Sequence, residues 1–427
     1  MTVVDGGPTR AVPPVLTGDA GTGRRPHLRF IAALTTATFL QWLGASAVLP
    51  LLPLYLRRHG TSDAMVGAVM AAFFAAGVVA QYAGGRLGDR IGHKRVLLLG
   101  LVGYAVASSG FLLPLGGWGY VVLRAGQGAA AGAAQVAMLA LVIRAVPPQR
   151  RGRAVSAVYG GELAGVAVGP LVGSLLGVSR MAPLFLVASA AALLAGLPVL
   201  ASRTHRHPVD GAELDGAEPG GGDLHADGGE SRARLPWTGP SGRVLVGVML
   251  AAVAGGVLTG IYEACWTLLL DARHAETWQI GASWTLFALP FVLGAPIAGW
   301  AADHYDRRVL VLIGMVVSVG FALAYPWVPS VSWLIWLGAA ESLGVAFAVP
   351  AAQSLLGQAA PGAAIGQAQG LFASTQTAAI AVSAGVSGGL FSLAPWWPFT
   401  VGAVTALAVT AALPWVWRGV PGRVTSG

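Results

Sequence analysis

Hydrophobic positions in this chain are not spaced for an aqueous core. They run together in stretches of about 20 residues or more, long enough at 1.5 Å per residue to cross the ~30 Å hydrocarbon layer of a bilayer. Short segments rich in Arg, Gly, Pro and Asp separate them. The pattern predicts twelve membrane-spanning helices, at 30–56, 63–85, 96–115, 118–145, 152–178, 181–201, 243–270, 278–302, 308–326, 331–356, 363–392 and 397–417. Residues 1–29 are polar and rich in Gly and Pro. The run behind them is too long for a signal-peptide core, so a cytoplasmic tail followed by a retained first span is expected. A second tail, 418–427, closes the pattern.

Composition agrees. Of 427 residues 55% are apolar and only 10% charged, where soluble domains carry about 25%; mean hydropathy is +0.68. The net charge of +8 does not mark a nucleic-acid partner, because the basic residues lie in short segments between apolar runs. With the N-terminus inside, 21 Lys and Arg fall in cytoplasmic segments, and the outer loops hold only Arg57, Arg58, Arg180 and Arg273. The positive-inside rule therefore puts both termini in the cytoplasm. One cysteine, Cys265, rules out an intrachain disulfide. All eight histidines lie outside the apolar runs, and no Gly-Lys-Ser/Thr phosphate loop occurs, so neither a metal site, a cofactor nor ATP-driven transport is expected.

Residues 202–242 break the pattern with seven acids and the run Pro219-Gly220-Gly221-Gly222. Such a segment buries too little surface to fold and reads as a flexible cytoplasmic linker between bundles at 30–201 and 243–417. The chain also repeats. Gly85-Arg86-Leu87-Gly88-Asp89-Arg90-Ile91-Gly92-His93-Lys94-Arg95, between spans two and three, is echoed by Gly299 to Arg308 between spans eight and nine. Gly85 to Gly299 and Asp89 to Asp303 are both 214 positions apart. Two related six-helix bundles follow, the parallel-repeat layout of alternating-access transporters.

The run 85–95 resembles the signature of the major facilitator superfamily, in which Gly85, Asp89 and the basic residues Arg90, Lys94 and Arg95 would fill a gating turn. Asp89 near a helix end can pair with basic groups across the halves, and Asp303 takes the matching place in the second half. Leu123-Arg124-Ala125-Gly126-Gln127-Gly128 with Gly132 resembles the fourth-span motif of the same superfamily, and Leu49 to Tyr55 its proline-punctuated first-span exit. Gly165 to Gly173, with Pro170, resembles the fifth-span motif of the twelve-span drug:proton antiporters, except that Ser174 stands for a second glycine. Span eleven keeps glycines in Gly385-Val386-Ser387-Gly388-Gly389 but lacks the proline. Gly165, Gly169 and Gly173 recur every four residues and form a flat face for close helix packing, while Pro170 removes a backbone donor. In the resembled family this helix lines the interface between halves.

Four ionisable residues remain deep in spans: Arg124, Glu162, Glu263 and Glu341. An unpaired charge there costs several kcal/mol, so each must be paired, protonated or in contact with water. Glu341, roughly 15 Å into span ten, is the first candidate for proton coupling. Glu162, three residues before the glycine face, is the second. The resemblance implies that Arg124 tunes a nearby carboxyl; a fixed bridge to Glu162 or to a backbone carbonyl is the alternative. Glu263, beside Tyr262 and Trp266, is a substrate contact or a structural ion pair. Gln41, Trp42, Gln127, Gln135, Tyr262, Trp266 and Gln376 offer the amide and aromatic contacts of a cavity for lipophilic or amphipathic ligands.

The expectation is an all-α membrane protein of the major facilitator fold, acting as a monomer in the inner (plasma) membrane of a bacterium. By resemblance it exchanges protons for small hydrophobic or amphipathic compounds such as drugs or natural products. The alternative is transport of a sugar or other polar metabolite. A non-transporting membrane sensor is a further class, and no intramembrane nucleophile and base suggest an enzyme.

Overall fold

The computed structural model describes residues 24–146, 151–201, 235–360 and 364–419. Most of the tails and of the 202–242 linker thus lie outside the described residues. Fourteen α-helices are found among them: α1 (Arg24–Val48), α2 (Leu52–Arg58), α3 (Asp63–Ile91), α4 (His93–Gly110), α5 (Gly117–Ala145), α6 (Arg151–Leu176), α7 (Met181–Ala201), α8 (Gly239–Ile261), α9 (Thr267–Ala272), α10 (Thr277–His304), α11 (Arg307–Ala324), α12 (Val331–Ala359), α13 (Ile365–Leu393) and α14 (Trp397–Val416). No strand occurs among the described residues.

Ten spans are long and apolar enough to cross a bilayer, α1–α2 and α8–α9 each forming one, and α10, bent by 51° at Pro296, makes an eleventh. The remaining predicted span corresponds to α4, only 18 residues long, whose first turn holds Lys94 and Arg95. Helices outrun the apolar runs at two ends. The first helix begins at Arg24 and α8 at Gly239, inside the segments read as tail and linker, because backbone hydrogen bonding continues past the apolar stretch and Pro240 suits a first helical turn. Between α3 and α4 the chain reverses at Gly92, whose φ of +93° an L side chain rarely adopts.

The 214-residue repeat is realised as a two-fold arrangement of contacts between the halves. Gly67 of α3 lies against Ala384 and Gly388 of α13, and Gly281 of α10 lies against Pro170 and Ser174 of α6. Each residue of the first group is related to one of the second by the same offset. So are Arg57 and Asp271, which meet at 3.4 Å. Arg57 also pairs with Asp63 at 2.9 Å, and Thr267 Oγ1 donates to the Pro50 carbonyl at 2.8 Å. The buried cluster around these contacts mixes both halves, with Leu51, Leu52 and Val66 against Leu268, Leu269 and Ile280. At the other end, near Asp89, each half keeps its own core: Leu34, Leu97 and Leu141 in the first, Leu245, Leu355 and Leu356 in the second. The halves are thus sealed at the Arg57 end.

Gly165, Gly169 and Gly173 do not face the other half. They pack on α1, where a Cβ on Gly165 would lie 2.7 Å from the Phe39 carbonyl and 2.8 Å from Leu43 N. Ser46 Oγ, donating to the Gly165 carbonyl at 3.0 Å, ties the two helices together. It is the next face of α6, with Pro170 and Ser174, that meets α10.

Asp306 starts α11. Its carboxylate accepts from Arg308 N at 2.9 Å and from the Arg308 side chain at 2.7 and 3.1 Å, and these bonds hold its pKa below the ordinary value. Asp306→Ala should cost about 1 kcal/mol at neutral pH. Because the folded-state pKa is depressed, this contribution is present above the usual carboxylate pKa of about 4 and fades as pH falls below it. Thermal unfolding of both proteins at pH 7 and pH 3 checks this: the gap should narrow at pH 3.

Candidate functional site

Span seven does not run as one regular helix. Tyr262–Trp266 form a single π-turn between α8 and α9, a widened turn that recurs at functional sites. Its first residue, Tyr262, donates to Glu341 Oε1 at 3.0 Å, and Tyr325, just beyond α11, donates to Oε2 at 2.5 Å. Glu341 is only 2% exposed. The turn's last residue, Trp266, lies edge-on to Tyr325 at 4.9 Å and donates through Nε1 to Ser283 Oγ at 2.9 Å. A carboxylate between two phenols keeps both hydrogen bonds when ionised. Once protonated it can donate to one phenol oxygen and still accept from the other, because a phenol both donates and accepts. The arrangement suits a group that must exist in both charge states inside a membrane.

In the first half Arg124 is 4% exposed. Its Nη1 donates to Gln127 Oε1 at 2.9 Å, and Gln127 Nε2 donates to Ser108 Oγ at 2.8 Å. Its guanidinium lies 4.3 Å from the centre of the Phe73 ring. Neither Glu162 nor a backbone carbonyl takes the arginine. Gln127 thus links Arg124 to Ser108 and helps to position the guanidinium, while its amide keeps one acceptor site and one N–H free. Gln127 and Glu341 are themselves 214 positions apart, so each half carries a buried polar residue at the same place in its fold.

The remaining candidates are scattered around these two clusters. Glu263 lies on the π-turn with Oε2 buried and unpartnered. Glu162 is half-buried on α6. Gln41 is buried and Trp42 half-buried on α1, and Gln135 bonds Gln81 at 3.3 Å. Gln376 is half-buried on α13, its carbonyl 2.6 Å from where a Cβ of Gly256 would sit.

Around the signature turn Asp89 finds partners in its own half, Arg144 at 3.2 Å and His93 at 3.3 Å. Burial first, and Arg144 second, hold the His93 imidazole below its ordinary pKa, so the charge facing Asp89 is that of Arg144. Lys94 reaches the Leu200 carbonyl at 3.3 Å, Arg90 and Arg95 are exposed, and Gly85 is half-buried. In the second half Asp303 is 75% exposed and lies 3.9 Å from Arg307. Sequence reasoning missed Tyr325, Ser108, Phe73 and the Arg57–Asp271 pair. Only the last had a signal, since its two residues stand at the repeat offset.

A helical multi-pass membrane protein of two repeated halves, with ionisable groups held inside its spans, is the architecture of a secondary transporter. The chain belongs to the Major Facilitator Superfamily, whose model matches residues 34–270 and again 244–427. Among curated relatives, the multidrug resistance protein MdtG of Proteus mirabilis is 31% identical over 36% of this chain and 39% of its own. The class E tetracycline resistance protein of Escherichia coli is 26% identical over 79% of this chain and 81% of its own. Several relatives are matched over only 25–40% of their own length. The crystal structure of the nucleoside transporter NupG superposes with a TM-score of 0.70 at 13% identity, covering 91% of this chain and all 100% of that one, which shows a shared fold.

Proposed function

We propose that this transporter exports small hydrophobic or amphipathic compounds, drugs or natural products among them, in exchange for protons. The observation that carries the proton half of this reading is Glu341, buried between the hydroxyls of Tyr262 and Tyr325. Relatives named for multidrug and tetracycline resistance support the substrate half. Bundles at 30–201 and 243–417 rock about the central interface, with tails and linker on the cytoplasmic side of a bacterial inner membrane, and one chain suffices. The Arg57 end faces outward, so the state described is closed outside. Glu341 and Glu162 take up and release the proton, and Arg124 biases the neighbouring carboxyl. Glu263, Trp42, Tyr262, Trp266, Gln41 and Gln376 contact substrate. When the inner end closes, Asp89 exchanges Arg144 for a partner across the interface, and Gly85, Arg90, Lys94, Arg95 and Asp303 form the rest of that gate.

The test uses purified protein in liposomes with an imposed pH gradient and a trapped pH dye, to which lipophilic cations and neutral drugs are added. Substrate-dependent proton movement is expected. A folded protein that moves no protons with any compound would sink the antiport reading.

A further inference from the structure

The end of the bundle away from the Arg57 seal carries a groove of about 620 Å³ between the start of α8 and the end of α14. Two arginines line it, Arg243 in the second turn of α8 and Arg418 just beyond α14. Arg243 Nη1 donates to the Arg418 carbonyl at 2.9 Å, which holds the two residues side by side. Both are exposed. Among the described residues no carboxylate pairs with either, and the lining of the groove contains no acid. Its other walls are largely aromatic or apolar, with Trp237 56% and Trp415 70% exposed, and Val246 exposed beside them. The 214-residue offset puts Arg29 at the matching place of α1, where Gly23 and Ala201 stand for Trp237 and Trp415. The repeat thus keeps an arginine there but not its aromatic neighbours.

We propose that this groove is a binding site for an anionic phospholipid, its phosphodiester held by Arg243 and Arg418 and its acyl chains lying along α8 and α14. The assignment does not depend on the antiport reading.

A guanidinium presents paired N–H donors that match the oxygens of a phosphate, and it is more weakly hydrated than an ammonium. Two of them with no acid beside them gather positive charge that an anionic head group offsets. The position in the membrane favours a lipid over a dissolved anion. The groove lies where one span begins and another ends, and exposed tryptophans on both of its walls belong to the residue type that settles at the head-group level. Basic pockets between membrane helices at that level take acidic head groups. Val246, three residues along α8 from Arg243, is exposed on the same side of the helix, so an acyl chain can run on from the phosphate over an apolar surface. A dissolved phosphate would use the arginines but not these walls. Because Arg243 lies on the first helix of the second half and Arg418 follows its last, a lipid held by both joins the two ends of that half at the membrane surface.

The probe is phosphatidylglycerol, offered to the full chain in a non-ionic detergent together with an equal amount of phosphatidylcholine, and bound lipids are counted by native mass spectrometry. Phosphatidylglycerol should be preferred by roughly fivefold for each arginine that meets its phosphate. Arg243→Gln and Arg418→Gln should each lower the preference by that factor, and the double variant should bind the two lipids alike. Arg29→Gln, which removes an exposed arginine from the matching place in the first half, should leave the preference as it was. On the unaltered protein, soluble glycerol phosphate should fail to displace the lipid, because it has no chains to use the apolar walls. Equal binding of the two lipids by the wild type, a preference that survives in the double variant, or an equal loss with Arg29→Gln overturns the site. So does displacement by glycerol phosphate, which would make it a site for dissolved anions. A preference that emerges only when the seven acids of 202–242 are changed to their amides would overturn it too, making the linker the occupant.

Discussion

Glu341→Gln is expected to abolish substrate-dependent proton movement while leaving the protein folded. Glutamine has nearly the same shape, and its amide can accept from one phenol while its NH2 donates to the other, so Tyr262 and Tyr325 are not orphaned. It cannot bind or release a proton. Exchange driven by a pH gradient should therefore fall to the background of empty liposomes. Downhill exchange of substrate across the membrane should persist, because that step needs no net proton transfer. Glu341→Ala is a poorer test, since it strands two buried hydroxyls at about 1–3 kcal/mol each. The liposome assay with Glu341→Gln, run beside Glu162→Gln, decides the assignment. Proton coupling that survives at Glu341→Gln and disappears at Glu162→Gln would move the coupling site to α6.

Apolar runs made the helices legible, since a bilayer demands long continuous apolarity, and the echo of the 85–95 turn made the two halves legible. The ionisable residues within the spans stood out for the same reason: charge is rare there and has to be accommodated. Their partners were hidden. Tyr325 ends an apolar run 16 residues before Glu341, and Tyr262 lies 79 residues before it; neither distance is a helical period, so only packing brings them to the same carboxyl. Gln127 had hidden partners as well: an amide inside a span suggests a cavity contact, and the sequence did not show that it also bridges Arg124 and Ser108. The π-turn had no sequence signature at all. What the sequence did contain, without showing how to use it, was the offset of 214 residues, which relates Arg57 to Asp271 and Gly67 to Gly281. Internal homology says which positions are equivalent; whether equivalents touch depends on their distance from the two-fold axis.

That symmetry makes Gly388→Ala the second substitution with a large expected effect. A Cβ on Gly388 would collide with the Asp63 carbonyl and lie 2.8 Å from Gly67 N, and both are backbone atoms near the start of α3 that have no rotamer to change. Relief requires α3 and α13 to separate, which means parting the halves at the Arg57 end. Overpacking of this kind costs about 1–3 kcal/mol, and charged to one state of a two-state equilibrium it shifts the populations by roughly 5–150-fold. The sealed state described here should be depleted and transport should fall with it, while each half stays folded, because the three atoms nearest the new methyl group all belong to the opposite half. Spin labels at the exposed positions 59 and 274, in a Cys265→Ser background, report the separation of the halves at that end. The wild type should show a short distance and Gly388→Ala a longer one. Gly389→Ala is the control: it is the adjacent glycine on the same helix, and a Cβ there meets nothing within 4 Å. Unchanged distances in Gly388→Ala, or equal changes in both variants, would mean that the glycine contact between α3 and α13 does not hold the seal.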